Sequence, residues 1–192
     1  MDLPEITKFD NVEIDSPTSI VAVAGFEDRA RAVFEEFTTR RDKELIRSGA
    51  GIRYQPFNNR NDVEALDSGM ASLGLSDDST YSLVFDRYDP DSFEPIFENF
   101  LDSVSEDHVL LDISGMSKLL IMIALNVLAD KDYSVTIFYA EAEEYTPTKE
   151  EYTTTLQSRE DSDRTPAFLT DGIYDIGTCL PRGLNGRHSL IS

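Results

Sequence analysis

His108-Val109-Leu110-Leu111-Asp112-Ile113-Ser114-Gly115-Met116-Ser117-Lys118-Leu119-Leu120-Ile121-Met122-Ile123-Ala124-Leu125-Asn126-Val127-Leu128-Ala129 is the stretch that decides the fold. From Val109 to Ala129 it is long and apolar enough to pose a membrane question, but the polar turn Asp112 to Lys118 divides it. Each half is too short to span a bilayer. The first half, His108 to Ile113, reads as a strand buried on both faces. The second, Leu119 to Ala129, is apolar on nearly every side, as a helix packed centrally on a sheet would be.

The same alternation runs through the rest of the chain. Ser19 to Ala24 is an apolar run ending at Gly25, followed by a helical pattern over Arg29 to Arg41 with Ala30, Val33, Phe34 and Phe37 on one face. Gly49 and Gly51 predict a turn, Ile52 to Phe57 a second strand, and Val63 to Leu73 a second helix. Tyr81 to Phe85 predicts a third strand. Ser92 predicts a helix N-cap ahead of Phe93, Ile96, Phe97, Phe100 and Leu101. Tyr133 to Ala140, rich in β-branched and aromatic residues, is the expected fifth strand.

Strands alternating with helices predict an α/β fold: a Rossmann-like, doubly wound, mainly parallel five-stranded sheet over residues 17–145, with a short C-terminal extension over 146–192. In that extension Thr148 to Leu156 reads as a helix, Ser158 to Thr165 as a polar loop and Ala167 to Ile176 as a strand or hairpin. The tail from Gly183 to Arg187 shows no periodicity.

Composition narrows the function classes. The 192 residues are 40% hydrophobic and 28% charged, enough apolar material for a core. A net charge of −20, with no basic stripe, argues against duplex nucleic acid as a partner. Arg outnumbers Lys about two to one, and Asp and Thr are abundant, a bias that resembles adaptation to high salt. One cysteine, Cys179, excludes a disulfide framework, and no Cys/His cluster has zinc-like spacing. No secretory leader is legible, so the expected location is cytoplasmic, with no membrane partner. The first strand is not followed by Gly-x-Gly-x-x-Gly, which counts against an ordinary NAD enzyme, and no cofactor is expected.

In open α/β sheets ligands bind beyond the carboxyl ends of the strands. Those ends are Gly25-Phe26-Glu27-Asp28-Arg29, Phe57-Asn58-Asn59-Arg60, Asp86-Arg87-Tyr88, Asp112 to Lys118, and Glu141 to Tyr145. The fourth is the sharpest. Gly115 permits a tight turn, the following helix offers unpaired N–H groups and a positive dipole end, and Ser114, Ser117 and Lys118 add hydroxyls and a cation. Against this, Ser114 or Ser117 can serve simply as an N-cap with Lys118 in solvent. Lys is not, however, the preferred charge in a first helical turn, so a nearby anion would account for it.

The other candidates carry paired readings. Arg29 either meets ligand phosphate or stands in a capping segment with Glu27 and Asp28. Asn58, Asn59 and Asn61 form a turn or hydrogen-bond a base or ribose. Asp112, at the end of a buried strand, orients Lys118 or Arg29 or caps the turn. Glu141, Glu143, Glu144 and Asp86 lack a histidine, so no metal site is expected. His108 lies at the opposite sheet edge, where a surface role is expected.

The Ser114-Gly115-Met116-Ser117-Lys118 turn, followed by Leu119-Leu120-Ile121-Met122, resembles the Thr-Gly-Gly-Thr-Lys-like turn and apolar helix of the CRISPR-associated Rossmann fold (CARF) domains. Met116 stands at the family's second glycine. The resemblance implies a nucleotide-sensing module of prokaryotic antiviral defence: a homodimer that binds a cyclic oligoadenylate, with Gly25, Phe26, Arg29, Asn58, Asp112, Ser114, Gly115, Met116, Ser117, Lys118 and Glu141 around the small nucleotide ligand. It also implies either an effector partner or simple ligand removal, since the 45 or so residues after Tyr145 are too few for a typical nuclease. Two alternatives stand beside it. One is a non-enzymatic interaction subunit of a larger defence complex, with an apolar patch and a crevice blocked by Met116 or Phe26. The other is a nucleotide or nucleoside hydrolase with Asp112 or Glu141 as general base.

Overall fold

The computed structural model describes residues 13–25, 28–58, 61–131 and 133–141. The expected features of residues 146–192, together with Phe26, Glu27, Asn59 and Arg60, lie outside the described residues. Five parallel strands form one sheet: β1 (Thr18–Val23), β2 (Ile46–Gln55), β3 (Thr80–Asp86), β4 (His108–Asp112) and β5 (Ser134–Phe138), in the order β3-β2-β1-β4-β5. Every residue of β1 and of β4 is buried, because these central strands are covered on both faces.

Among the described residues two helices cover each face. Helices α1 (Ala32–Thr38) and α2 (Val63–Ser72) bury Val33, Phe34, Phe37, Leu66 and Met70 against Ile20, Ala22 and Leu110. On the opposite face α3 (Phe93–Ser103) and α4 (Lys118–Asp130) bury Phe93, Phe97, Leu101, Leu120 and Val127 against Val21, Ile52 and Leu111. The doubly wound, Rossmann-like architecture is therefore present. No helix among the described residues is long and apolar enough to cross a membrane.

Several local expectations are corrected. Gly49 and Gly51 do not form a turn; they lie inside β2, which begins at Ile46 and ends at Gln55. Their role is close packing: a Cβ on Gly49 would meet Leu75 at 2.8 Å and Met70 at 2.9 Å, and one on Gly51 would meet Leu66 at 3.1 Å. Bare backbone lets α2 settle directly on β2.

The helix expected over Arg29 to Arg41 is a single 3-10 turn, Asp28–Arg31, followed by the short α1. Near its end Thr38 Oγ1 donates to Phe34 O at 2.6 Å and Thr39 Oγ1 to Glu36 O at 3.0 Å, side-chain bonds that compete with helix continuation. Ser92 does occupy the N-cap position of α3, as expected, but its side chain makes no capping hydrogen bond. Its hydroxyl donates to Asp89 O at 2.7 Å, and a 3-10 turn beginning at Pro90 leads straight into α3.

His108 does lie at the amino end of β4, away from the strand carboxyl ends, but it is buried rather than at the surface. Thr18 Oγ1 donates to Ser16 O at 2.8 Å, so it accepts from His108 Nδ1, 2.9 Å away. Nε2 then accepts from Thr136 Oγ1 at 2.9 Å, and burial lowers the imidazole pKa. The ring joins β1, β4 and β5 in its neutral form.

The contact that brings α1 and α2 together sits at Gly69, where a Cβ would lie 2.4 Å from the Phe34 ring. In Gly69→Ala the helix-propensity gain of about 1 kcal/mol opposes an overpacking cost of about 1–3 kcal/mol. Overpacking should win here because both the ring and the helix must move. Urea unfolding should show a net loss of up to about 2 kcal/mol; a raised midpoint would contradict the contact.

Candidate functional site

The chain leaves β1 for α1 on one face and β4 for α4 on the other, and these two strands are neighbours. This is the topological switch point, where a crevice opens at the carboxyl ends of an open α/β sheet. Its floor is backbone. A Cβ on Gly25 would lie 2.7 Å from Ala30 Cβ and 3.5 Å from Gly115 Cα. One on Gly115 would lie 3.0 Å from a Val23 methyl and 3.4 Å from Gly25 Cα. Gly25, expected to admit a ligand, is thus already required by the packing of the 3-10 turn, and Gly115 is closely confined there by Val23 and Ala30.

The turn itself is built from short polar contacts. Ser114 N–H donates to Asp112 Oδ1 at 2.9 Å, and Ser114 Oγ accepts from Ala140 N–H at 2.9 Å, which ties the end of β5 to the turn. Met116 N–H donates to Ile113 O at 3.2 Å, while the Met116 side chain enters the core on the α3–α4 face. Met116 therefore neither blocks the crevice nor offers its side chain to a ligand. Ser117 is the N-cap of α4, its Oγ accepting from Leu120 N–H at 3.3 Å. Lys118 is the first residue of α4 and is exposed. At this end the N–H groups of Lys118 and Leu119 have no acceptor within the helix.

A residue that sequence reasoning passed over organises this turn. Tyr54, near the end of β2, accepts the Ser117 N–H on its hydroxyl at 2.7 Å and lies 3.5 Å from Gly115 O. Burial raises the phenol's pKa, against the opposing effects of Ser117 and Arg87. The available signal was its place on a core-facing strand position, since a buried tyrosine needs a partner for its hydroxyl. Arg87, just beyond β3, stacks over the Tyr54 ring with its guanidinium carbon 4.5 Å from the centroid.

Asp112 is fully buried, and its Oδ2 has no hydrogen-bond partner among the described residues. Burial raises its pKa from an ordinary 3.8 to about 6, opposed by hydrogen bonds from Ser114 and by the charge of Arg29. Arg29 lies on the other wall, with Nη1 3.4 Å from Tyr139 Oη and its guanidinium carbon 5.9 Å from the centre of that ring. Asn61 is also buried, and its Nδ2 lacks a partner among the described residues.

The remaining candidates divide. Asn58 is half-buried, and its carbonyl accepts Asn61 N–H at 2.9 Å, the turn geometry expected of this cluster. Asp62 then caps α2, accepting Ala65 N–H at 2.8 Å, and donates its own N–H to Gly25 O at 2.9 Å, which draws the loop to the crevice. Glu141 is exposed just past the edge strand β5. Gly25, Arg29, Asn58, Asp112, Ser114, Gly115, Ser117 and Lys118 are thus gathered around the switch point, and Phe26 lies outside the described residues. No group of three His, Cys, Asp or Glu among the described residues is arranged to hold a metal ion. A separate groove of about 650 Å³ lies between α1 and α2, lined by Phe34, Thr38, Gly69 and Ser72 and crossed at one end by the Arg31–Asp62 ion pair.

No protein-family model matches this chain, and no curated protein matches it at a significant level.

Because the Asp112 pKa is raised, ionisation opposes folding. The stability this carboxyl contributes is complete below pH 3.8 and is lost as pH rises through about 6, at a cost on the order of 3 kcal/mol. Asp112→Asn keeps the acceptor for Ser114 N–H and removes that ionisation. The variant should gain up to about 3 kcal/mol over the parent at pH 8, a gain that disappears toward pH 4. Taking the difference cancels His108. A difference that does not vary with pH, measured by chemical unfolding, would contradict the assignment.

Proposed function

We propose that this chain is a nucleotide-sensing module that binds a phosphate-bearing ligand at the β1–β4 switch point. The observation that carries the reading is the exposed Lys118 at the first position of the 13-residue α4, beside a turn already locked by Tyr54 and Ser117. In a chain of net charge −20, a cation at a helix amino terminus is unfavourable against the dipole unless an anion joins it. Asn61 Nδ2 and Asp112 Oδ2 add a buried donor and a buried acceptor around the same crevice. Its resemblance to CARF domains makes a cyclic oligoadenylate the first ligand to test and a homodimer the expected assembly.

A second reading, a protein-interaction subunit, is favoured by exposed Met122 on α4 and exposed Ile137 on β5. The two readings part in one calorimetric experiment. The sensing module should bind a cyclic or linear oligoadenylate, and Lys118→Ala should weaken that binding at least tenfold, as expected for a lost charge-assisted phosphate contact of about 1.5–3 kcal/mol. Absence of heat with every oligoadenylate, or an unchanged affinity in Lys118→Ala, would overturn the assignment.

A further inference from the structure

The rim of β2 and β3 carries a cation and two aromatic rings that neither the core nor the β4–α4 turn uses. Tyr54 pairs with Phe85 and Gln55 with Asp86, and Arg87 N–H extends this ladder by donating to Gln55 O at 2.9 Å. Side chains alternate across a sheet, so Arg87 projects on the same face as Phe85 and Tyr54, the face on which α4 begins. The guanidinium lies 4.5 Å over the Tyr54 ring, whose hydroxyl holds Ser117 N–H at 2.7 Å. Arg87 is therefore one ring away from the amino end of α4. A guanidinium stacked on an aromatic face keeps its in-plane N–H edge for a phosphate.

Tyr88 comes next and is 85% exposed, while Phe57, past the end of the adjacent β2, is 67% exposed. Tyr88 is held by a fixed turn, since Asp86 Oδ1 accepts its N–H at 2.8 Å. Two rings exposed to this degree at neighbouring strand ends bury little apolar surface, yet they offer flat π-faces to a planar ligand. Charge orders the arrangement. Lys118 and Arg87 are linked through Tyr54 and Ser117 at the crevice, whereas Tyr88 is flanked in the chain by Asp86, Asp89 and Asp91, acids that disfavour a phosphate there but not an uncharged base.

Resting on the reading of the switch point as a nucleotide site, we propose that the β2–β3 rim is its base-binding half, with Tyr88 the stacking surface and Arg87 a second phosphate-pairing cation.

The test compares cyclic and linear oligoadenylates with inorganic tripolyphosphate, which has charge and no base. Tyr88→Ser should weaken oligoadenylate binding at least tenfold, since base–aromatic stacking contributes about 1–3 kcal/mol per base, and should leave tripolyphosphate binding unchanged. Arg87→Gln should weaken both. Because the chain has no tryptophan, Tyr88→Trp supplies a single reporter whose emission the oligoadenylate should quench while affinity is kept. Oligoadenylate binding that survives Tyr88→Ser at full strength, or an unquenched Trp, overturns the base-binding rim and leaves the phosphate turn standing. Failure of the unaltered protein to bind either probe overturns both.

Discussion

Gly25 and Gly115 pack backbone to backbone, with a Cβ on Gly25 excluded by Ala30 and one on Gly115 closely confined by Val23 and Ala30, and the arrangement of the crevice follows from that contact. The contact fixes the ends of β1 and β4 against each other while their helices depart to opposite faces. Ala30, in the 3-10 turn after β1, closes against both glycines. The Gly25 carbonyl takes Asp62 N–H, which brings in the loop from β2, and Ser114 Oγ takes Ala140 N–H, which brings in β5. Elements from four strands converge on one backbone contact, and the polar groups of their ends converge with them.

Tyr54 joins this convergence to the core. Its ring leads an aromatic series through Phe85, Phe93, Phe97 and Phe100 to Tyr81, with centroids 5.1–6.1 Å apart. The hydroxyl end, meanwhile, holds the N-cap residue of α4 and the ring face supports Arg87. One side chain therefore links the aromatic packing of the α3 face to the amino end of α4. The electrostatics sharpen the effect. Lys118, Arg29 and Arg87 border a crevice in a chain with 37 acidic and 17 basic side chains, and the acid beneath them, Asp112, is the one whose charge burial most opposes.

Much of this architecture was legible in the chain. The stretch from His108 to Ala129 is periodic and apolar enough to specify strand, turn and helix, and it placed the switch-point turn correctly. Gly49 and Gly51 misled because a glycine that lets a helix rest on a strand is indistinguishable in sequence from one that turns the chain. Ser92 was placed correctly at the N-cap of α3, but its residue type did not reveal that its hydroxyl meets Asp89 O instead of the helix. His108 proved buried because its partners, Thr18 and Thr136, are supplied by two neighbouring strands. For the same reason Tyr54 escaped notice as a site residue and Arg87, though at a strand end where a ligand is expected, was not singled out: their contacts with Ser117 and with each other arise only from the pairing of β2 with β3 and the placement of α4. Local pattern carries the elements, and cross-strand register carries the site.

An amide NMR titration of the ¹⁵N-labelled protein with an oligoadenylate tests most directly whether a ligand enters where β1 and β4 part. Shift changes centred on Gly25, Gly115, Ser117, Lys118 and Leu119 are the predicted result. Changes confined to the α1–α2 groove around Phe34, Thr38 and Gly69, or none at all, would contradict it.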